Sequence, residues 1–221
     1  MSINVAIDGP AGAGKSTIAK KLAKELDYIY VDTGAMYRAM ALYMIEQKTD
    51  IQHMDAVRSA CDAITIDIRY SDGEQQVILN GRNVNDFIRT EAVSEVSSKI
   101  SAIPEVRAKL LSLQRSLAAA SNVIMDGRDI GTVVLPDANV KIYLTASSKV
   151  RAKRRFDELT AKGVSCDMDA IEKDIIERDY RDMHRETSPL KQADDAVLLD
   201  SSDLDIDGVV EEMKKIIKKA E

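Results

Sequence analysis

The 221-residue sequence predicts an α/β fold in which helices flank a parallel sheet. The chain opens with an apolar strand, a glycine-rich loop and a helix that carries Ile18, Leu22 and Leu26 at helical spacing. A second strand, a loop and a second helix follow at once, and this alternation is typical of parallel sheets. The chain is long enough to form one domain with a full core.

Apolar patterns predict the remaining elements in order along the chain. After the second strand, Asp32-Thr33-Gly34 marks a loop, and a helix then continues to about Glu46. Ser101 and Pro104 are typical helix-start residues, and apolar residues follow them at helical spacing. The predicted strands are residues 4–8, 28–31, 123–126, 140–144 and 196–199, and later helices begin near Pro104, follow Leu144, run from about Met168 to His184, and close the chain around Val209 and Met213.

A different pattern marks residues 62–98. Residues 64–70 alternate between apolar and polar side chains, residues 71–74 can form a turn, and apolar residues return at 77–79. Asn80-Gly81 is a strong hairpin signal and can begin a third strand. We therefore expect a small insertion with antiparallel strands and one or two short helices.

Composition excludes several classes of protein. The formal net charge of -6 argues against a general nucleic-acid binder, which needs a positive field. Cys61 and Cys166 are too few for a disulfide framework, and His53 and His184 have no cysteine neighbours that would suggest a zinc site. No apolar run predicts a signal peptide or a membrane span. A cytoplasmic protein without a membrane or nucleic-acid partner is expected.

The glycine-rich loop fits the G-x-x-x-x-G-K-[ST] pattern in full. A predicted strand precedes it and a predicted helix follows it, which is the context that a phosphate loop requires. Its glycines let consecutive N–H groups turn toward one anion, and the helix adds its positive end. Lys15 is expected to reach the β- and γ-phosphates, and the Ser16 hydroxyl to bind Mg²⁺. The predicted ATP-binding residues of this loop are Gly9, Pro10, Ala11, Gly12, Ala13, Gly14, Lys15, Ser16 and Thr17.

A phosphate loop alone leaves GTPases, motor and transporter ATPases and small-molecule kinases open. The N-K-x-D guanine motif and an L-S-G-G-Q-like run are both missing from the sequence. A D-x-x-G match at Asp205–Gly208 is better explained by helix capping. The missing motifs favour a small kinase, with a nucleotide-regulated binding protein as the alternative from another class.

Four segments together resemble the bacterial cytidylate kinases: Gly9–Thr17, Asp32–Arg38, Asp126–Thr132 and Arg178–Asp182. The likeness extends through nearly the whole chain, including the inserted hairpins. It implies transfer of the γ-phosphate of ATP, with Mg²⁺, to CMP or dCMP by a monomer. A kinase of the same fold that acts on UMP or another small phosphate acceptor is the nearest alternative.

The resemblance also implies a domain layout of the P-loop NTPase type. One nucleoside monophosphate kinase domain would cover residues 1–221, with its core at about 1–61 and 99–221. The insertion at about 62–98 would bind the acceptor, and residues 152–168 would form a helical lid.

The helix at about 168–184 carries charged residues on an otherwise apolar face. At 100° per residue, Arg178, Asp182 and Arg185 lie within about 40° of Ile171, and Ile175 shares this face. If the apolar part faces the core, the charged part points into a cleft, where phosphate suits arginine. A salt-bridged surface face is the alternative. The resemblance implies that Arg178 and Asp182 lie near the acceptor sugar and phosphate, and Arg185 near the transferring phosphate.

Three arginines precede this helix: Arg151, Arg154 and Arg155 form an i, i+3, i+4 cluster. Taken alone, such a stripe is typical of a solvated helix face. The resemblance instead implies a lid that closes these arginines over the ATP phosphates.

The acceptor contacts are implied residue by residue. Thr33 would meet the nucleotide sugar or phosphate, and Arg38 would hold the acceptor phosphate. Ser98, Arg107 and Asp129 match the positions that recognise cytosine. A fixed carboxylate such as Asp129 favours cytosine, which offers an amino donor where uracil has a carbonyl acceptor.

The expected chemistry is phosphoryl transfer by positioning and charge stabilisation. Lys15, Arg128, Arg178 and Arg185 are the predicted catalytic residues, and Arg128 also belongs to the predicted acceptor site. Asp126 ends an apolar strand, as a Walker-B-type acid does, and would orient the Mg²⁺ ion through water.

Overall fold

The structure is a computed structural model that describes residues 2–71 and 73–220. The described chain forms two compact units, one with residues up to Tyr30 and from Ser121 onward, the other with Val31–Ala120. The strands are β1 (Asn4–Asp8), β2 (Ile29–Asp32), β3 (Ile66–Ser71), β4 (Glu74–Leu79), β5 (Arg82–Asn83), β6 (Val123–Gly127), β7 (Val140–Thr145) and β8 (Val197–Asp200). The α-helices are α1 (Lys15–Leu26), α2 (Thr33–Glu46), α3 (Met54–Ala63), α4 (Glu91–Ile100), α5 (Pro104–Ala120), α6 (Ser148–Ala161), α7 (Met168–His184) and α8 (Ile206–Ala220).

The first unit is organised by a five-stranded sheet in the order β2-β6-β1-β7-β8. Its pairs β1–β6, β1–β7 and β7–β8 are parallel. Helices cover both faces of such a sheet, which is why its central strands are continuous apolar runs. One core cluster joins β1 and β7 to helices α1 and α8 through Val5, Ile142, Leu22 and Met213, all almost fully buried. The predicted α/β fold with a parallel sheet is confirmed.

The register of the sheet brings two functional segments to one edge. Asp8, the last residue of β1, pairs with Gly127 of β6, and Ile7 pairs with Asp126. Because parallel strands end at the same edge, the loop after β1 and the turn after β6 begin side by side. A single π-helical turn over Ile130–Val134 follows β6 at this edge.

Helices α6 and α7 pack against each other, and the predicted lid at residues 152–168 covers most of α6 and the segment that leads to α7. Ser147 and Asp167 cap their N-termini, accepting hydrogen bonds from the backbone N–H groups of Val150 and Ala170. The predicted span of α7, from about Met168 to His184, matches the observed helix.

The second unit combines helices α2–α5 with an antiparallel sheet in the order β3-β4-β5. The hairpin signal at Asn80-Gly81 is confirmed, because β4 ends at Leu79 and β5 begins at Arg82. Two local details differ from the sequence prediction. Thr33 begins α2 rather than lying in a loop, since Asp32 caps the helix by accepting from the N–H of Ala35. Helix α3 was not predicted, because its apolar stripe is short.

Within the described residues, no helix is both long enough and apolar enough to cross a membrane.

Candidate active site

The phosphate loop begins with a backbone conformation that only glycine adopts easily. Gly9 has φ of 148°, and a Cβ atom there would lie 1.9 Å from the carbonyl oxygen of Leu144. The loop therefore lies directly against strand β7 and ends where α1 begins at Lys15. The free N–H groups at the start of α1 and the partial positive charge of the helix end suit a phosphate group.

Lys15 is almost fully buried and is held by the loop itself. Its ammonium donates hydrogen bonds of 2.7 Å to the carbonyl oxygens of Gly9 and Pro10. Burial lowers the pKa of Lys15 well below its usual value, and the positive charge of Arg128 lowers it further. A phosphate anion in the loop would offset both effects, because an opposite charge favours the protonated ammonium.

Ser16 and Asp126 lie together as a pair of oxygen ligands. The Ser16 hydroxyl donates a 2.9 Å hydrogen bond to Oδ2 of Asp126, and the Tyr30 hydroxyl donates one of 2.9 Å to Oδ1. Hydroxyl and carboxylate oxygens are hard ligands of the kind that Mg²⁺ prefers, and the ion commonly completes its shell with water and phosphate. These residues therefore fit a magnesium ion that is bound together with a nucleotide.

Two arginine–aspartate pairs join the turn after β6 to helix α7. The Arg128 guanidinium donates through Nε to Asp182 at 3.0 Å. Asp129 lies 3.8 Å from Nη2 of Arg185, which follows the end of α7, and both side chains are more than nine-tenths buried. Because each pair holds an arginine close to the end of the sheet, the cations are positioned before any anion binds.

Asp8 fixes the same turn from the side of the phosphate loop. Its two carboxylate oxygens accept hydrogen bonds from the backbone N–H groups of Ile130 at 2.8 Å and Gly131 at 2.7 Å. Asp8 is 5% exposed, and burial raises the pKa of its carboxyl to about 6 against the lowering effect of the two N–H groups.

The predicted lid arginines have three different environments. Arg151 is buried and engaged within the protein: it donates to the carbonyl oxygens of Ala11 and Ala146, and its Nη2 lies 2.7 Å from Asp179. Arg154 donates to the carbonyl oxygen and hydroxyl of Ser201. Arg155 forms an exposed ion pair with Glu158. Arg178 is half-buried on α7, one turn before Asp182.

In the second unit, Asp32 organises the start of helix α2. Its carboxylate accepts a 2.9 Å hydrogen bond from Arg38, and Arg89 lies at 3.5 Å from the same oxygen. The side chain of Gln75 bonds both the N–H and the carbonyl oxygen of Asp32. Thr33, the next residue, is buried. Arg38 is thus oriented by an acidic partner at the helix terminus.

Within the second unit, Ser98 and Arg107 each have a hydrogen bond to Ser101, in the turn between α4 and α5. The Ser101 hydroxyl donates to the Ser98 carbonyl oxygen at 2.9 Å, and Nη1 of Arg107 donates to the Ser101 carbonyl oxygen at 3.0 Å. The Arg107 guanidinium also lies over the Tyr37 ring, 5.6 Å from its centroid. Arg107 is 9% exposed, so its charge is held in a partly desolvated setting.

The structure thus groups Lys15, Ser16, Asp126, Arg128 and Asp129 within the first unit. Sequence reasoning missed Asp8 and Tyr30, whose partners are more than 90 residues away along the chain. The signal for Asp8 was an acid at the end of an otherwise apolar strand. No group of three or more His, Cys, Asp or Glu residues that could hold a metal occurs among residues 2–71 and 73–220.

Comparisons with known proteins agree with the motifs. A family model described as cytidylate kinase matches residues 5–219. A protein named cytidylate kinase from Lactobacillus johnsonii is 52% identical over 217 residues, covering 98% of this chain and 94% of that protein. A protein of the same name from Carboxydothermus hydrogenoformans is 47% identical, covering 97% of this chain and 97% of that protein. One from Streptococcus pneumoniae is also 47% identical, covering 99% of this chain and 98% of that protein. A solved structure, an uncharacterized protein from Eubacterium ventriosum, shares the fold with a TM-score of 0.55, 13% identity, and coverage of 98% of this chain and 99% of its own.

Proposed function

The chain belongs to the cytidylate kinase family, as its motifs predicted, and we propose that it transfers the γ-phosphate of ATP to CMP or dCMP. The products are ADP and CDP or dCDP. The observation that carries the proposal is the grouping of Lys15 and Ser16 in the phosphate loop with Asp126 at the end of the neighbouring parallel strand. A loop that binds phosphate and a pair of ligands suited to magnesium are the two parts that a P-loop kinase needs first.

The donor nucleotide is bound by residues 9–17, with the phosphates against the loop N–H groups and the start of α1. Lys15 replaces its bonds to Gly9 and Pro10 with bonds to phosphate oxygens. Ser16 and Asp126 would hold a Mg²⁺ ion, Asp126 through water, and the bound ion would neutralise charge at the phosphates. Arg154 and Arg155 lie in the proposed lid at residues 152–168, and Arg151 directly precedes it.

The acceptor is bound through its phosphate, sugar and base. Arg38 binds the phosphate, in keeping with its fixed orientation by Asp32, and Thr33 binds the sugar or the phosphate. Ser98 and Arg107 contact the cytosine, and the proposed insertion at residues 62–98 supports them. Their link through the Ser101 turn supports a shared role.

Three further residues of the first unit complete the proposed acceptor contacts. Asp129 accepts a hydrogen bond from the cytosine amino group, which uracil lacks. Arg178 and Asp182 contact the sugar and phosphate. The buried position of Asp182 supports a fixed contact rather than a solvated one.

Transfer requires no general base, because the attacking phosphate oxygen is already anionic. Lys15, Arg128, Arg178 and Arg185 stabilise the charge on the transferring group and hold it in line with the attacking oxygen. Arg128 and Arg185 are held by Asp182 and Asp129 before the nucleotides arrive, which reduces the reorganisation needed in the transition state. Lid closure excludes water, the competing acceptor.

The first test is an assay of ATP conversion to ADP with Mg²⁺, run against CMP, dCMP, UMP, dUMP, AMP, GMP and dTMP. Strong turnover with CMP and dCMP alone is the expected result. Comparable turnover with UMP or AMP would mean that the protein is not specific for cytosine and that another acceptor has to be assigned. No turnover with any of the seven would overturn the nucleotide-acceptor proposal. The expected monomeric state and cytoplasmic location stay predictions.

A further inference from the structure

We propose that Asp8 is a positioning residue, which fixes the turn carrying Arg128 and Asp129 to the strand that carries the phosphate loop. The inference rests on the proposed function, since the roles of Arg128 and Asp129 come from it. It adds a residue that does not itself touch a substrate in the proposed reaction. Asp8 would act through the backbone of the turn.

The geometry of the contact is specific to an ionised carboxylate. One oxygen of Asp8 accepts the N–H of Ile130, and the other accepts the N–H of Gly131. Two consecutive N–H groups pointing at one side chain form a small anion-binding site inside the protein. Because they belong to the residues directly after Arg128 and Asp129, the contact fixes the backbone from which both side chains project.

Lys141 packs against the same turn at Gly131. A Cβ atom at Gly131 would lie 3.1 Å from Cδ of Lys141 and 3.4 Å from Oδ2 of Asp8. Lys141 is itself held, because its ammonium donates to both carboxylate oxygens of Asp195. A side chain at Gly131 would therefore meet both Lys141 and Asp8, so the turn fits closely against these two residues.

The turn is also constrained by its own unusual hydrogen bonds. The N–H of Val134 donates to the carbonyl oxygen of Asp129, and the N–H of Leu135 donates to that of Ile130, five residues apart in each case. Single π-helical turns of this kind occur frequently at functional sites. Asp8 holds the N-terminal end of this turn, directly after Asp129.

A buried charge at this position is costly for the fold, which argues for a functional reason to keep it. The two N–H groups offset only part of the desolvation, and the pKa of Asp8 accordingly stays above its ordinary value. An apolar residue at the end of a central strand would avoid that cost, but it would leave both N–H groups without their acceptor.

The test compares Asp8→Asn with the wild type and with Asp203→Asn, a matched carboxylate-to-amide change at an exposed position. An amide offers one carbonyl oxygen, and its NH₂ group faces the second N–H as a donor against a donor. We expect amide hydrogen exchange at Ile130 and Gly131 to become about tenfold faster or more in Asp8→Asn. Exchange at these amides should stay at the wild-type rate in Asp203→Asn.

Kinetics then test the positioning role. In Asp8→Asn, kcat/KM for CMP should fall about tenfold to a hundredfold and the preference for CMP over UMP should shrink, while the Kd for ATP changes less than about threefold. A loss of structure alone would scale all rates with the folded fraction and leave the CMP to UMP ratio unchanged. Faster amide exchange with an unchanged ratio and KM would overturn the positioning role.

A second variant keeps the proposal testable if Asp8→Asn folds poorly. Gly131→Ala keeps the Asp8 carboxylate but adds a Cβ atom 3.1 Å from Cδ of Lys141 and 3.4 Å from Oδ2 of Asp8, so it crowds the same turn and should give the same loss of CMP preference. A wild-type protein that does not phosphorylate CMP would overturn the proposed function. Unchanged exchange at Ile130 and Gly131 in Asp8→Asn would instead overturn the Asp8 contact.

Discussion

The hydroxyl of Tyr30 donates a 2.9 Å hydrogen bond to Asp126, the carboxylate that also accepts the hydroxyl of Ser16. Tyr30 thus holds one oxygen of Asp126 and leaves the other facing Ser16. Loss of a partner that orients a metal ligand in this way typically lowers metal affinity by about tenfold to a hundredfold. The relationship makes Tyr30 part of the proposed magnesium site without making it a ligand.

Tyr30→Phe should therefore weaken binding of ATP in the presence of Mg²⁺, by about tenfold. Binding of ATP in the presence of a chelator should be unchanged, because the phosphate loop is intact. Calorimetric titration with and without Mg²⁺ measures the difference. Tyr180→Phe is the matched control on an exposed tyrosine, 64% accessible. Equal weakening under both conditions would mean that Tyr30 supports the loop generally rather than the metal site.

Lys15→Met should lower kcat by a factor on the order of 10² to 10³, the effect of losing one preorganised donor at the transferring group. The ligand-free fold should tolerate the change, because burial already disfavours the charge of Lys15. ATP with Mg²⁺ should raise the Tm of the wild type but barely that of the variant. Lys24→Met, at an exposed position of the same helix, is the control. A variant with near-normal turnover would remove Lys15 from the mechanism.

The sequence was sufficient for features that are encoded locally. The phosphate loop, the span of α7 and the hairpin at Asn80-Gly81 each depend on residues close together in the chain, and the structure agrees with them. Asp8 and Tyr30 were missed because their partners are set by the register of parallel strands, which no local pattern reveals. The register became known only with the structure.

The three lid arginines illustrate the same limit. A helical i, i+3, i+4 stripe shows that Arg151, Arg154 and Arg155 share a face, but not what covers each of them. Arg151 lies under the phosphate loop and pairs with a buried aspartate, whereas Arg155 faces solvent. Their difference depends on the packing of α6 against α7 and on strand β7, which bring residues distant in sequence together.

Asp129→Ala should reduce the preference for CMP over UMP by about tenfold or more, since a lost hydrogen-bond acceptor removes a base-specific contact. The ratio of kcat/KM values for the two nucleotides measures this directly. Asp137→Ala, at an exposed position after the same turn, should leave the ratio unchanged. If turnover of CMP and UMP fell in equal proportion, Asp129 would have no part in base recognition.

Asp179→Asn should destabilise the fold by about 2–4 kcal/mol, because it leaves the buried Arg151 guanidinium without a compensating charge. Unfolding in urea, followed by circular dichroism, measures the change. The control Asp157→Asn removes an exposed ion pair with Lys153 and should cost less than about 0.5 kcal/mol. Equal effects of the two changes would contradict the inferred burial of the Arg151–Asp179 pair.

The raised pKa of Asp8 has a consequence for stability that depends on pH. The pKa is about 6 in the folded protein against the ordinary value of 3.8. Between these values the folded state binds a proton that the unfolded state does not, so lowering the pH favours the folded state. The contribution of Asp8 to the free energy of unfolding therefore rises as the pH falls from 7 to 5, by about 1 kcal/mol.

The measurement is the difference in free energy of unfolding between the wild type and Asp8→Asn, determined in urea at pH 7 and at pH 5. The other carboxylates contribute equally to both proteins and cancel in this difference. The wild type should therefore gain stability relative to Asp8→Asn when the pH is lowered from 7 to 5. Asp195→Asn is the control: its hydrogen bond from Lys141 lowers the pKa of Asp195, so this carboxyl stays ionised in both states across the interval. The difference in free energy of unfolding between Asp195→Asn and the wild type should be the same at pH 7 and at pH 5. A constant difference for Asp8→Asn would mean that the Asp8 carboxyl has an ordinary pKa in the fold, and that the two N–H groups of the turn fully offset its burial.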